Sequence, residues 1–362
     1  MSENLFYDDE NLVSVSNSIL KYFHLDTYHP SLRSLDDRLK RNKNKKVALI
    51  LLDGFSKHIQ EVYYKYCPFI REHNSIVISS VFPPTTVAAT TSLLSAKYPC
   101  ETGWLGWTEK LNKYVLPIVM FFNVLADNKT KIDEKMSDVL PYDSIIALMN
   151  QKGIKANMIQ SFTYPKDNVK KYFKKASKLI NENDFTYIYH TEPDSSLHRY
   201  GVGSKKIRKY IQQFDEELKK LTEAHKDTLF ILLADHGHKN ATYFNIKEHQ
   251  DFYDTLKMKA YALEGRAAMF EVLDDKKEEF ETLAKQYYGE HFYIFNKEEV
   301  KEKEIFGKGE PCEKFDELVL DYLLISKDDS VFKDDYSANL KSHHAGTSYD
   351  EKYLNVSLYN FN

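Results

Sequence analysis

The residues best equipped for chemistry in this chain stand where apolar runs stop. Val47-Ala-Leu-Ile-Leu-Leu52 ends in Asp53, Phe185-Thr-Tyr-Ile-Tyr189 leads to Asp194 and His198, and Thr228-Leu-Phe-Ile-Leu-Leu-Ala234 ends in Asp235-His236-Gly-His238. A fourth run, Ser75-Ile-Val-Ile-Ser-Ser-Val81, is followed by Pro83-Pro84-Thr85-Thr86. Carboxylates and imidazoles together are a donor set for divalent metals such as zinc. In an open α/β sheet ligands gather beyond the carboxyl ends of the strands, so residues far apart in sequence can meet there. The pattern predicts a metal-dependent enzyme.

Each piece is weak alone. Asp194 and His198 are four residues apart and share a face if a helix begins at Asp194, but the same spacing describes a capping aspartate and an ordinary histidine. Asp53-Gly54 is a common strand-end turn. Asp235-His236-Gly237-His238 says more, because a carboxylate and two imidazoles directly after a buried strand cannot all be satisfied by core packing. Pro83-Pro-Thr-Thr86 feeding Val87-Ala-Ala-Thr-Thr-Ser-Leu-Leu94 sets a hydroxyl at a helix N-terminus, where free N–H groups and the dipole favour an anion. It is the conjunction, four such residues closing four runs, that points to one site.

The elements that must position these groups alternate. The apolar patterns predict strands at 47–53, 75–81, near 115–122, 154–160, 185–190 and 228–234. Between them fall helices at 56–66, 86–96, 143–152, 165–182 and 204–225, which argues for an α/β fold with a mostly parallel central sheet and helices on both faces. Residues 1–46 read as a helical lead-in, with Leu12, Val15, Ile19 and Leu20 at helical spacing, closed by the basic run 40–46 as a solvated loop. Residues 249–340 are denser in charge and mix short strands (267–272, 291–295) with a helix at 275–288, a smaller α+β segment beside the site. The catalytic core is therefore expected at 47–248 and 341–362, ending in a strand at 353–359.

The balance of 50 Lys plus Arg against 54 Asp plus Glu gives the 362 residues a formal net charge of −4. That is too even for a general nucleic-acid or membrane binder, so any phosphate must be drawn by local charge such as bound metal. Cys67, Cys100 and Cys312 form no CxxC pair and imply neither a disulfide framework nor a zinc knuckle. Asp8, Asp9 and Glu10 interrupt the start of the chain, and no apolar run approaches the roughly 18 residues of a membrane span. A cytoplasmic protein with reduced thiols is the expectation.

Five stretches carry a resemblance: Leu51-Leu-Asp-Gly54, Phe82-Pro-Pro-Thr-Thr-Val-Ala-Ala-Thr-Thr-Ser-Leu-Leu-Ser-Ala-Lys-Tyr-Pro99, Glu192-Pro-Asp-Ser-Ser-Leu-His198, Ala234-Asp-His-Gly237 and His344-Ala-Gly346. In their order and spacing the chain resembles the alkaline phosphatase superfamily, and within it the nucleotide pyrophosphatase/phosphodiesterase-like branch. The resemblance implies two divalent ions, with zinc the best match to the donors and manganese compatible. Asp53, Thr86, Asp235 and His236 match the ligands of one ion, and Asp194, His198 and His344 those of the other. His344 is preferred to His343 because it directly precedes Ala-Gly. Thr86 matches the nucleophile, implying a covalent phosphothreonine that water opens in a second step. One departure concerns an asparagine that the resemblance places three residues after the nucleophile; here Ala89 stands, leaving the Val87 backbone N–H and the Thr90 side chain as candidate oxyanion donors.

The function implied is a two-metal phosphoric ester hydrolase, foremost a phosphodiesterase or nucleotide pyrophosphatase. A phosphomonoesterase or phosphonate hydrolase of the same superfamily is the alternative, and a non-catalytic metal-stabilised binding module is the reading from another class. The expected partner is a small phosphorylated substrate such as a nucleotide, with no nucleic acid and no membrane. Trp104 and Trp107 either border the leaving-group pocket, stacking on a base, or pack as a core turn. Tyr164, Arg199 and Tyr200 are further candidates to border the site, with nothing in the sequence to orient them.

Overall fold

The structure is a computed structural model that describes residues 5–43, 46–164 and 168–360. Asn44 and Lys45 of the basic run, and residues 165–167 of the helix expected at 165–182, lie outside the described residues. A strand buried on both faces needs no polar alternation, and the uninterrupted apolar runs form the centre of a six-stranded sheet. Its order is Asn74–Ser79, Tyr353–Tyr359, Thr228–Leu233, Lys46–Leu52, Phe185–His190 and Ala156–Gln160. The last four are mutually parallel, while Tyr353–Tyr359 runs antiparallel to both its neighbours.

Register converts this order into a site. Leu51 lies opposite Leu233, and Leu52 opposite His190. Two residues further along, Asp53 and Asp235 therefore leave the sheet side by side. The turn after Asp53 needs Gly54, whose φ is +72° and whose missing Cβ would stand 3.1 Å from the Asp194 Cα.

The lead-in helix Leu12–Tyr22 is part of the machinery's support. It packs on Thr86–Ser95, all of whose residues are buried. Ser16 Oγ donates to the Leu93 carbonyl at 2.6 Å, and Asn17 Nδ2 donates to the Ala96 carbonyl at 3.0 Å, where the helix ends in a left-handed residue. Asn17 Oδ1 in turn accepts the N–H groups of Tyr28 and His29. Asn17→Ala should leave these groups unpaired and destabilise the fold by about 1–3 kcal/mol, a loss that urea titration would register and an unchanged midpoint would refute.

Outside the central sheet the sequence-based elements shift. The strand expected near 115–122 is the two-residue Ile118–Val119, and it belongs to a second, antiparallel sheet. That sheet joins Phe292–Asn296, Tyr322–Ser326, Ala267–Phe270 and Ala262–Glu264 to Thr108–Glu109, Ile118–Val119 and Val124–Leu125. Residues from 249–340 thus pair directly with residues following the Thr86 helix, through Leu263 opposite Thr108. Phe252, Phe270, Phe280, Tyr288 and Phe332 form a second apolar cluster there. Among the described residues no helix is long and apolar enough to cross a membrane.

Candidate metal centre and active site

Two strand ends, two helix starts and the turn after Ser342–His343 deliver the side chains. Asp53 follows Lys46–Leu52, and its carbonyl accepts the Asp194 N–H at 3.1 Å, which ties the start of the helix Asp194–Tyr200 to the strand. Asp235 and His236 follow Thr228–Leu233. Asp235 Oδ1 accepts the N–H groups of Gly54 at 3.0 Å and His236 at 2.9 Å. Its Oδ2 is buried without a hydrogen-bond partner among the described residues. Thr86 is the first residue of the helix Thr86–Ser95.

The geometry divides into two groups that share His236. In the first, ligand atoms of Asp53, Asp235 and His236 lie within 4.8 Å of one another. His236 Nε2 is 3.3 Å from Asp53 Oδ1, 3.7 Å from Asp235 Oδ2 and 3.1 Å from Thr86 Oγ1. Thr86 Oγ1 is 3.5 Å from Asp53 Oδ1. In the second, Asp194, His236, His238 and His344 offer atoms within 4.8 Å of one another. His198 Nε2 approaches Asp194 Oδ1 at 3.3 Å, and His344 Nε2 at 3.9 Å. All seven residues expected at the site, Asp53, Thr86, Asp194, His198, Asp235, His236 and His344, therefore converge. His343 lines the cavity beside the site, but its Nε2 is taken by the Tyr243 hydroxyl at 2.8 Å, and Ala345 with φ 89° makes the tight turn between His344 and Gly346.

Charge in this cluster is unbalanced without a cation. Burial, with Asp194 nearby, raises the Asp53 carboxyl to about 6, and burial with Asp53 beside it pushes Asp235 well above the usual carboxylate range. Burial alone would lower His236, but Asp235 and Asp53 raise it to about 10. Two dry carboxylates thus crowd negative charge into the place a divalent ion would fill. The orphaned Asp235 oxygen and the mixed carboxylate and imidazole donors fit such an ion.

Some neighbours escaped sequence reasoning. The Tyr189 hydroxyl donates to Asp53 Oδ2, and its only sequence signal was its place as the last residue of the strand run. The Glu264 carboxyl accepts the Thr85 hydroxyl, bracing the residue before Thr86. Burial raises the Glu264 carboxyl to about 7, and Leu263 before it has φ 71°, the kind of strained backbone that collects at sites. His238 stood in the Asp-His-Gly-His motif without a role; it is fully buried, with Nε2 2.7 Å from Asp194 Oδ1.

A cavity of about 340 Å³ opens over Thr86, Asp194, His198 and His344. Trp107 lines it, half exposed, whereas Trp104 is core, its Nε1 donating to the Leu140 carbonyl at 2.9 Å. Tyr164, Arg199 and Tyr200 are not among its walls. Thr90, one of the two oxyanion candidates, donates its hydroxyl to the Thr86 carbonyl at 2.6 Å, so its hydrogen is already taken by the helix. Val87 remains, in the first turn where N–H groups have no helical acceptor.

A mixed α/β sheet whose strand ends gather carboxylates and histidines around a helix-borne threonine defines a metal-dependent hydrolase of phosphoric esters in the alkaline phosphatase superfamily. The family described as type I phosphodiesterase / nucleotide pyrophosphatase matches residues 47–350, and the chain belongs to it. Solved structures share the fold at low identity. Human ectonucleotide pyrophosphatase/phosphodiesterase 5 is 15% identical, with 87% of each chain covered and a TM-score of 0.63. An inactive variant of the murine enzyme in complex with AMP is 14% identical, covering 86% of this chain and 87% of that one at a TM-score of 0.62. Phosphonoacetate hydrolase from Sinorhizobium meliloti 1021 in complex with phosphonoformate is 14% identical, covering 86% and 89% at 0.64. No curated protein matches.

Proposed function

We propose that the chain hydrolyses small phosphodiesters through Thr86 as a covalent nucleophile, with Asp53, Thr86, Asp235 and His236 holding one ion and Asp194, His198 and His344 the other. The observation that carries this reading is Thr86 Oγ1 at the helix start, 3.1 Å from His236 Nε2 and 3.5 Å from Asp53 Oδ1. Bound divalent ions, zinc by the match of the donors, would lower the pKa of the hydroxyl and neutralise charge on the phosphoryl oxygens. Thr86 Oγ1 gives up its proton to cavity water and bonds to phosphorus while the bond to the leaving oxygen breaks. The leaving oxygen takes up a proton as it departs. Water then bonds to phosphorus from the vacated side, the Thr86 ester bond breaks, and the threonine regains its hydrogen. The Val87 N–H donates to a phosphoryl oxygen, and the dipole of the Thr86–Ser95 helix favours its charge.

The walls of the cavity bear on the substrate. Among the described residues none lining it is Lys or Arg, while Glu264 and Asp334 do line it and Trp107 offers an aromatic face. A second phosphate would find no cation there beyond the bound ions, so a diester with an uncharged organic group suits the cavity better than a pyrophosphate chain. Residues 249–340 supply Glu264 and Asp334, and the segment after the Thr86 helix supplies Trp107. The three unpaired cysteines support a reducing, cytoplasmic setting.

Parallel assays with bis-p-nitrophenyl phosphate and p-nitrophenyl phosphate, each with and without chelator, test the reading. The diester should be preferred and both activities should disappear on metal removal. Equal or greater monoester turnover would move the chain to the monoesterases, and chelator-resistant hydrolysis would refute the role of the ions.

A further inference from the structure

We propose that Glu264 discriminates substrates by charge, disfavouring phosphomonoesters against diesters beside Thr86. The inference rests on the phosphodiester reading above and deepens it by naming the side chain that sets the preference. Glu264 ends the strand Ala262–Glu264 and lines the same cavity as Thr86. Its carboxyl accepts the hydroxyl of Thr85, the residue directly before the nucleophile, which fixes its place relative to the reacting oxygen. The charges of His236 and Asp194, one from each proposed ion set, both act on it. The backbone is strained to hold it there: Leu263 has φ 71°, and a Cβ on Gly106 would stand 3.1 Å from the Leu263 Cα.

A carboxylate beside a phosphate-binding centre is a repulsive element, and repelling the wrong ligand is as direct a route to specificity as attracting the right one. A diester brings one negative charge, a monoester about two above neutral pH. The same carboxylate therefore opposes the monoester about twice as strongly. Among the described residues no lysine or arginine lines the cavity to offset it, and Arg266, two residues on, is paired with Glu351. Asp334, the other acid of the cavity, is engaged by its surroundings. Its Oδ1 accepts the Tyr336 N–H at 3.0 Å and the Ser337 hydroxyl at 2.5 Å, and its Oδ2 accepts the Tyr261 N–H at 3.4 Å. Glu264, tied to the residue next to Thr86, is the acid that an incoming phosphoryl group meets.

Glu264→Gln keeps the shape of the side chain and an acceptor for Thr85 while removing the charge. The measurement is kcat/KM of the zinc-loaded full chain for p-nitrophenyl phosphate and for bis-p-nitrophenyl phosphate. It is made at about pH 9, where Glu264, raised by burial to about 7, is ionised. The monoester-to-diester ratio should rise roughly 3- to 30-fold in Glu264→Gln, through faster monoester hydrolysis. Glu264→Ala removes the charge with less bulk and should move the ratio the same way. Thr85→Val breaks the hydrogen bond but keeps the carboxylate, so it should lower both rates alike and leave the ratio at the wild-type value. Equal losses on both substrates in the two neutral variants, with the ratio unchanged, would show that Glu264 only braces Thr85 and would overturn the proposal. Wild-type preference for the monoester would instead overturn the diester reading, and the shift of the ratio in Glu264→Gln would still decide the role of Glu264.

Discussion

Thr86→Ala should retain both ions and lose turnover by roughly four to six orders of magnitude, the scale of removing a covalent nucleophile. The side chain is small, nearly buried and at a helix start, and its neighbours are held by other contacts, Thr85 by Glu264 and Asp53 by Tyr189. Removing one hydroxyl therefore leaves the pocket standing. Thr86→Ser keeps an oxygen at the same place and should recover a substantial part of the rate. Metal content by elemental analysis separates loss of chemistry from loss of ions. Near wild-type turnover in Thr86→Ala would eliminate the covalent route.

The largest effect on stability is expected at Arg266. Its guanidinium and the Glu351 carboxylate are both fully buried and bonded twice, at 2.7 and 2.8 Å. Glu351 also accepts the Gly346 N–H with its carboxylate and the Gly237 N–H with its carbonyl. One residue thus pins both loops that carry the site histidines, and Arg266 ties it to the second sheet. Arg266→Met strands a buried carboxylate and should cost about 3–5 kcal/mol, whereas Arg266→Met with Glu351→Leu should recover part of that. Metal occupancy should fall with the single change because the His344 loop loses its anchor. Burial alone would raise Glu351, but Arg266 holds it below its usual value of 4.5. Its stabilisation is therefore complete above that unfolded value and fades as the pH drops through the folded one. An Arg266→Met protein within about 1 kcal/mol of wild type would show that the pair anchors nothing.

The strand ends were legible because buried parallel strands announce themselves as unbroken apolar runs and stop at the first carboxylate. Asp53 and Asp235 could be named as neighbours once the runs were paired. The helices at 86–96, 143–152 and 204–225 appear as Thr86–Ser95, Ile145–Gln151 and Lys205–Ala224, since caps such as Ser144 and Ser204 mark their starts. The second sheet was much less legible. Thr108–Glu109 and Ile118–Val119 are two residues each, too short for any period to show, and the Thr108 partner Leu263 stands 155 positions further along the chain. Tyr322–Ser326 had the apolar signal of a central strand but stood in a charged stretch that masked it. Glu264 could not be read at all, because only tertiary pairing brings it to Thr85. His238 was visible as a residue type that core packing would not tolerate, yet no spacing rule gave it a partner.

Anomalous diffraction from crystals grown with zinc tests the central claim most directly. The account predicts two peaks, one bounded by Asp53, Thr86, Asp235 and His236, the other by Asp194, His198 and His344. A single peak away from these side chains, or none in a protein that still hydrolyses phosphodiesters, would contradict it.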